Sequence, residues 1–346
     1  MALKISIGAD PEMFVREKST GRFVSAHNLL PGTKLKPHPV DLGAIQVDGV
    51  AAEFNINPSQ TASEFVTNIS AVTGQLSKII GDKYELVSEP TCVFPADYFK
   101  SLPEEARELG CNPDFNAWTG QVNVKPDGDA TTMRTAAGHI HIGWTDGADP
   151  TDSVHFEDCR IIIKQLDYYL GMYSLMWDKD TKRRTLYGKA GSFRPKPYGC
   201  EYRPLSNVWL RTPKLQTWVW NAAFRGVIDL IQNGNRIEDK FGDMARRCID
   251  GNENWWDGSK VKDSEDFAKI YGLSGFTGLE TPPPLPKPVA FGEKEVSTPK
   301  SKITPGMPDF SGEKDPNWMK RVWDTHSAGN KEATAYLAVK GYVKKG

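Results

Sequence analysis

Apolar and polar positions change period several times along the chain, and the changes mark elements. Lys4 to Val15 is an apolar-rich stretch broken by Gly8 and Pro11. Gly43 to Asn57 predicts a hairpin, with Asp48-Gly49 as the turn between Ala44-Ile45-Gln46-Val47 and Val50-Ala51-Ala52-Glu53-Phe54. At Thr61 the period becomes helical: Thr61 and Glu64 have capping-box spacing, and Phe65, Ile69, Val72, Leu76 and Ile79 recur on one stripe. Arg134 to Trp144 predicts another strand. A helix is expected from about Asp152 to Trp177, with Ile162, Leu166, Tyr169, Tyr173 and Met176 aligned. A second begins at Thr212-Pro213 and ends near Gly234. Between them lie a basic, glycine-containing segment, Lys182 to Gly199, and a strand, Cys200 to Leu205.

Side chains at i and i+2 of a strand share a face. Four predicted strands each carry two polar groups at that spacing: Asp10 and Glu12, Glu53 and Asn55, His139 and His141, Glu201 and Arg203. Flanking apolar residues (Phe14 and Val15, Phe54 and Ile56, Ile140 and Ile142, Tyr202) describe one face for helices and one lined by carboxylates. Any single pair could be a solvated strand face, or, for Asp10, a turn before Pro11. Together they are divalent-metal ligands plus one anion clamp, because carboxylates mixed with histidine suit Mg²⁺, with Mn²⁺ as the alternative. Zinc has less support, since His27, His38, His155 and His326 add no HExxH spacing. Asp48 fits either a further ligand or the hairpin turn.

The basic segment places Lys182, Arg183, Arg184, Lys189, Arg194 and Lys196 beside that face, with Gly188, Gly191 and Gly199 for flexibility. It reads as a solvated loop or as a phosphate-binding loop, in which Arg forks clamp phosphate oxygens. Arg194 and Arg184 are expected to point toward phosphates, and Arg134, five residues before His139, to face the same site.

The remaining composition mainly excludes. The 346 residues carry 43 Lys+Arg against 44 Asp+Glu, a net charge of −1 without the bulk basic field of a general nucleic-acid binder. No aliphatic run is long enough to span a membrane, and the N-terminus lacks the apolar core of a secretory signal. Five scattered cysteines without CxxC are expected to be reduced thiols in a cytosolic protein. P-loop, dinucleotide-fold and GxSxG motifs are absent. Composition shifts near residue 281, where five prolines within 281–288 precede a polar, Lys-rich stretch; aromatic and helical character returns at about 315–343.

Gly8-Ala9-Asp10-Pro11-Glu12-Met13-Phe14, Asp48-Gly49-Val50-Ala51-Ala52-Glu53-Phe54-Asn55, Gly138-His139-Ile140-His141-Ile142-Gly143 and Glu201-Tyr202-Arg203-Pro204-Leu205-Ser206-Asn207 resemble motifs of the phage carboxylate-amine ligases, the phiEco32-like amidoligase-type 2 proteins. That family is grouped with glutamine synthetase and glutamate-cysteine ligase. The resemblance implies an α+β, glutamine-synthetase-like fold: a curved antiparallel sheet with helices on its convex side and substrates on the concave one. It also implies an ATP-dependent reaction in which an acyl phosphate is converted by an amine to an amide. Carried over, Asp10, Glu12, Glu53, His139 and Glu201 would hold metal, with Asp10 standing where many relatives have Glu. Arg203 would bind the substrate carboxylate or the transferred phosphoryl group, and His141 would lie near the nucleotide phosphates. Arg134, Arg184, Lys189 and Arg194 complete the expected nucleotide contacts, and Arg194 joins Arg203 in catalysis.

The expected organisation is a ligase domain at 1–280 and a Pro-rich arm with a short helical tail at 281–346. The expected substrates are small-molecule or peptide carboxylates and amines, in a host cytoplasm if the chain is phage-encoded, without nucleic acid or membrane; self-association is common in the wider superfamily. Two other readings stay open: a metal-dependent hydrolase using the HxH and carboxylates, and a non-catalytic virion or host-interaction protein on a ligase scaffold.

Overall fold

The computed structural model describes residues 5–107, 114–124, 131–251 and Lys269. The expected boundary near 280, the Pro-rich arm, the tail and Cys111 lie outside the described residues. Strands, in chain order, are β1 (Ser6–Glu17), β2 (Phe23–Val24), β3 (His38–Val40), β4 (Gly43–Asp48), β5 (Ala51–Ile56), β6 (Tyr84–Val87), β7 (Thr91–Val93), β8 (Phe115–Asn116), β9 (Met133–Thr135), β10 (Gly138–Gly143), β11 (Ser192–Lys196) and β12 (Gly199–Tyr202). Ten of these form an open sheet in the order β3-β4-β5-β1-β10-β12-β11-β8, with β2 and β6 also paired to β1. All its pairings are antiparallel. Strands β7 and β9 form a separate pair. The helices are α1 (Ala62–Ile80), α2 (Ala96–Ser101), α3 (Glu104–Arg107), α4 (Ser153–Leu166), α5 (Met172–Ser174), α6 (Thr181–Leu186), α7 (Pro213–Asn233), α8 (Arg236–Phe241) and α9 (Met244–Asp250). The described residues are thus α+β.

Strand β1 runs unbroken through Gly8 and Pro11, against the sequence expectation. Residues 6–11 pair with β10, and from Glu12 onward the partners are β5, β6 and β2. Pro11, which has no N–H to give a ladder, sits where the partner changes. The predicted hairpin forms as β4 and β5, with the turn one residue later than Asp48-Gly49. Asp48 pairs with Ala51, and Gly49 takes the first central position at φ +56°. The expected 134–144 strand is two strands, β9 and β10, in different sheets.

Helix ends follow the sequence closely. The Thr61 hydroxyl accepts from the Glu64 N–H, and the Glu64 carboxylate accepts from Gln60 N–H, closing the cap one residue upstream of the usual box. At the other end Ile80, not Ile79, completes the buried stripe, since either position can follow Leu76 by a helical turn. Asp152 caps α4, and Thr212 with Pro213 starts α7. The helix expected to reach Trp177 leaves α geometry at the end of α4, after Leu166, through a π turn, Asp167–Gly171. The basic segment is a correction: it is not a loop but α6, capped by Asp180, followed by strand β11.

The two sheet faces differ as the alternation requires. Ile7, Ala9, Ile140, Ile142, Phe193, Cys200 and Tyr202 join Phe65, Phe156, Ile163, Trp220 and Phe224 of α1, α4 and α7 in the main core. Phe14 is in phase with Glu12, not with Val15. It leaves that core for a smaller cluster with Val50, Cys92, Phe94, Phe99 and Ala136. Gly138 lies under Trp209, which stacks on Phe65 at 5.7 Å. A Cβ on Gly138 would collide with the Trp209 indole nitrogen and the Ser206 carbonyl. Cys92, Cys159, Cys200 and Cys248 are all buried.

Two outcomes follow from this packing. Gly138→Ala should cost about 1–3 kcal/mol, the range for overpacking a closed site, read as a lowered denaturant midpoint with unchanged m. The second concerns Asp167, which is fully buried and accepts from Trp118 Nε1 (2.6 Å) and the Tyr202 hydroxyl (2.8 Å). Burial pushes its carboxyl up to about 7. The folded state therefore binds this proton more tightly than the unfolded chain. Its stabilising contribution is full below the ordinary carboxylate range and is lost as pH rises through about 7, by at most about 1.4 kcal/mol per pH unit. Asp167→Asn should gain on the wild type in unfolding free energy from pH 5 to pH 8; a constant difference would refute this.

Candidate functional site

Antiparallel register builds the polar face, because directly opposed residues project to the same side. Asp10 lies opposite His139, His141 opposite Glu201, and Glu201 opposite Arg194. Glu12 lies opposite Glu53, which in turn faces Gln46. The strands carrying these residues, β5-β1-β10-β12-β11, are consecutive neighbours.

Asp10, His139 and Glu201 each offer a ligand atom, all within 4.8 Å of one another. His139 Nδ1 is 3.2 Å from Glu201 Oε1 and 3.5 Å from Asp10 Oδ1, and His141 Nε2 is 2.8 Å from Asp10 Oδ1. Burial opposes the Asp10 charge, yet His141 and His139 hold that carboxyl well below the ordinary range. Burial and then Arg203 push the His139 proton affinity down, favouring the neutral ring that can ligate metal. Asp10 Oδ1 and His141 Nε2 face each other at 2.8 Å and Glu201 Oε2 faces Lys196 at 2.8 Å, whereas buried His139 Nε2 has no hydrogen-bond partner among the described residues. An atom of that kind is rare in native interiors and is open to a ligand. Two carboxylates and one imidazole fit a divalent cation of the Mg²⁺ or Mn²⁺ kind.

Glu12 and Glu53 adjoin this group without joining it. One Glu12 oxygen accepts from Ala137 N–H (2.8 Å), and one Glu53 oxygen accepts from Gln46 Nε2 (2.6 Å). Burial and then Asp48 push the Glu12 carboxyl up to about 7. Burial, then Asp48, Asp10 and Glu12, push Glu53 well above the ordinary range. Asp48 itself, at the end of β4, is paired with Lys34 at 2.6 Å.

A cationic wall closes the opposite side. Arg203 is 1% exposed and is held as a fork: Nε donates to Asp114 Oδ2 (3.0 Å), while its other nitrogens reach Glu201 Oε1 and the Tyr187 hydroxyl. Lys196 Nζ lies 2.8 Å and Arg194 Nη1 3.5 Å from Glu201 Oε2. On the far side of Asp10 a cavity of about 450 Å³ opens between Gly8, Glu53, Asn55, His141 and Tyr198, whose hydroxyl contacts His141 Nδ1.

Three expected nucleotide contacts lie elsewhere, each for a physical reason. Arg134 is on β9, outside the main sheet. Its buried guanidinium lies over the Phe99 ring (4.2 Å) and donates to the Thr131, Met133 and Arg107 carbonyls. Arg184 on α6 pairs with Asp178 at 3.2 Å and donates to the Asp178 and Asp180 carbonyls. Lys189 is exposed, in electrostatic reach of Asp250. Arg183, fully buried, donates to the Pro204 and Leu205 carbonyls and so fixes the chain just after Arg203. Asp114, Tyr187 and Tyr198 gave no sequence signal. Lys196 did: it is in phase with Arg194 on one strand.

Residues 132–228 match the family model described as phage phiEco32-like COOH.NH2 ligase-type 2. That stretch holds His139, His141, Arg194, Lys196, Glu201 and Arg203, while Asp10, Glu12 and Glu53 precede it. A search of the curated proteins found no match. The amidoligase resemblance carried by the His139 and Glu201 motifs is therefore supported where the match runs: residues 132–228 are similar to the phage phiEco32-like COOH.NH2 ligase-type 2 family.

Proposed function

We propose that this chain is an ATP- and Mg²⁺-dependent amidoligase with a glutamine-synthetase-like active-site sheet, joining a small-molecule or peptide carboxylate to an amine. The observation that carries the reading is the three-donor group Asp10, His139 and Glu201 set against the cations of Arg203, Arg194 and Lys196. Asp10, His139 and Glu201 would hold Mg²⁺, whose part is to neutralise phosphate oxygens. A carboxylate oxygen of the substrate attacks the γ-phosphorus of ATP and ADP leaves. The amine nitrogen then attacks the acyl-phosphate carbon, phosphate departs, and the amine loses a proton.

Such a reaction asks for charge and position more than for a protein nucleophile. Arg203 meets that demand before substrate arrives, since Asp114 and Tyr187 fix its fork. Arg194 and Lys196, each with a quarter of its side chain exposed, can reach anionic substrate from the same wall. The cavity beside His141 has room for substrate next to the donors.

ADP and phosphate release would be measured with ATP and Mg²⁺ against pools of amino acids, peptides and amines. Substrate-dependent ADP release that disappears on chelation is the expected result; no release with any pool would refute the reading. Arg203→Lys should lower turnover by roughly 10²-fold, the scale of losing one preorganised donor, in a protein that still folds but with a lowered Tm, because Asp114 and Tyr187 lose their fork partner. Near-normal turnover would make Arg203 structural. Arg194→Ala should raise the KM for ATP by about tenfold, the scale of one charge-assisted contact, with little change in Tm.

A further inference from the structure

The carboxylate of Glu201 has two unequal oxygens. Oε1 is gripped by Arg203, which cannot easily leave, being buried and held by Asp114 and Tyr187. Oε2 is buried and lacks any aligned hydrogen bond, yet the Lys196 ammonium lies 2.8 Å away. The contact is electrostatic without being a well-directed bond. It is also the more exchangeable of the two sides. Lys196 is the last residue of β11, next to the 197–198 turn, and a quarter of its side chain reaches solvent. A lysine is a hydrated point charge on a flexible stem, unlike the fixed guanidinium fork.

We infer that Lys196 is a displaceable internal counter-ion: its ammonium occupies the Glu201 side of the cation site in the metal-free protein and is expelled when a divalent cation binds. The inference rests on reading Asp10, His139 and Glu201 as cation donors, and not on the ligase reaction. A fully buried carboxylate cannot stand with one oxygen uncompensated, so some positive charge must face Oε2 in either state. A divalent ion shared with Asp10 and His139 supplies that charge more strongly, and at ligating distance from Oε2 it takes the place of the Lys196 ammonium at 2.8 Å, while Arg194 at 3.5 Å stands farther off. Lys196 is then released on the side where Arg194 stands, toward any anionic substrate, so that cation entry and readiness for anion become one event.

The test is Mn²⁺ titration by calorimetry, without nucleotide, of the wild type, Lys196→Met and the exposed-helix control Lys78→Met. Lys196→Met should lower the Tm of the metal-free protein. It should also tighten Mn²⁺ binding by about tenfold, the scale of removing one competing charge; Lys78→Met should match the wild type. A second measurement uses the wild type alone and survives a variant that fails to fold. Acetylation of Lys196 by a water-soluble ester, followed by mass spectrometry, should speed up severalfold when Mn²⁺ is added, while Lys78 labelling stays constant. Unchanged Lys196 labelling in protein that binds Mn²⁺, an unchanged Mn²⁺ affinity in Lys196→Met, or no Mn²⁺ binding by the wild type would each overturn the inference. Mn²⁺ binding with the expected Lys196 response but without ADP release would leave it standing and refute only the ligase reading.

Discussion

The burial of the Glu201 carboxylate is the constraint on which the rest of this polar face depends. Removing a carboxylate from water costs several kcal/mol unless positive charge and hydrogen bonds surround it. Here His139, Arg203, Arg194 and Lys196 all approach it. The consequences spread outward. Arg203 brings its own counter-ion, Asp114, from a distant part of the chain, and Tyr187 completes the fork. Arg183 then anchors the residues after Arg203 through their carbonyls.

The site is built almost entirely on strands, with Asp114 and Tyr187 reaching Arg203 from connections and the helices packed on the opposite face. Tyr202, between Glu201 and Arg203, turns to the opposite face and gives its hydroxyl to Asp167 in the π turn. One backbone thus ties the polar cluster to the packing of α4. Strand-borne groups are held more precisely than loop-borne ones. That precision suits chemistry in which charges must already be in place when the reaction begins.

Much of this was legible in the sequence because period-two patterns survive folding. Glu12, Glu53, His139 and Glu201 were expected on one polar strand face, and they share it on consecutive strands. The helix starts at Thr61 and Thr212 were legible from capping chemistry, and the one near Asp152 from the helical period. What failed were inferences that needed three dimensions. Arg134 is only five residues from His139, but the strand is interrupted at Ala136-Ala137, and the arginine belongs to another sheet. Arg184 and Lys189 shared a basic composition with Arg194, yet Arg184 lies on α6 and Lys189 in the connection between α6 and β11, while Arg194 alone of the three is on a strand of the site. Asp114 and Tyr187 reach the site through contacts that no local spacing encodes.

Strand β1 joins distant stretches of sequence. The Glu12 side chain bonds the Ala137 amide 125 residues away, and the Glu12 carbonyl accepts from Asn207, 195 residues away. Pairings of such separation must overcome loop-closure entropy before they return any stabilisation. The polar cluster therefore cannot assemble during the early part of synthesis: its first strand waits, with Asp10 and Glu12 uncompensated, until residues near 200 have emerged. Self-assembly of this face belongs among the late and slow events of folding, after local units such as the β4–β5 hairpin and α1 have formed.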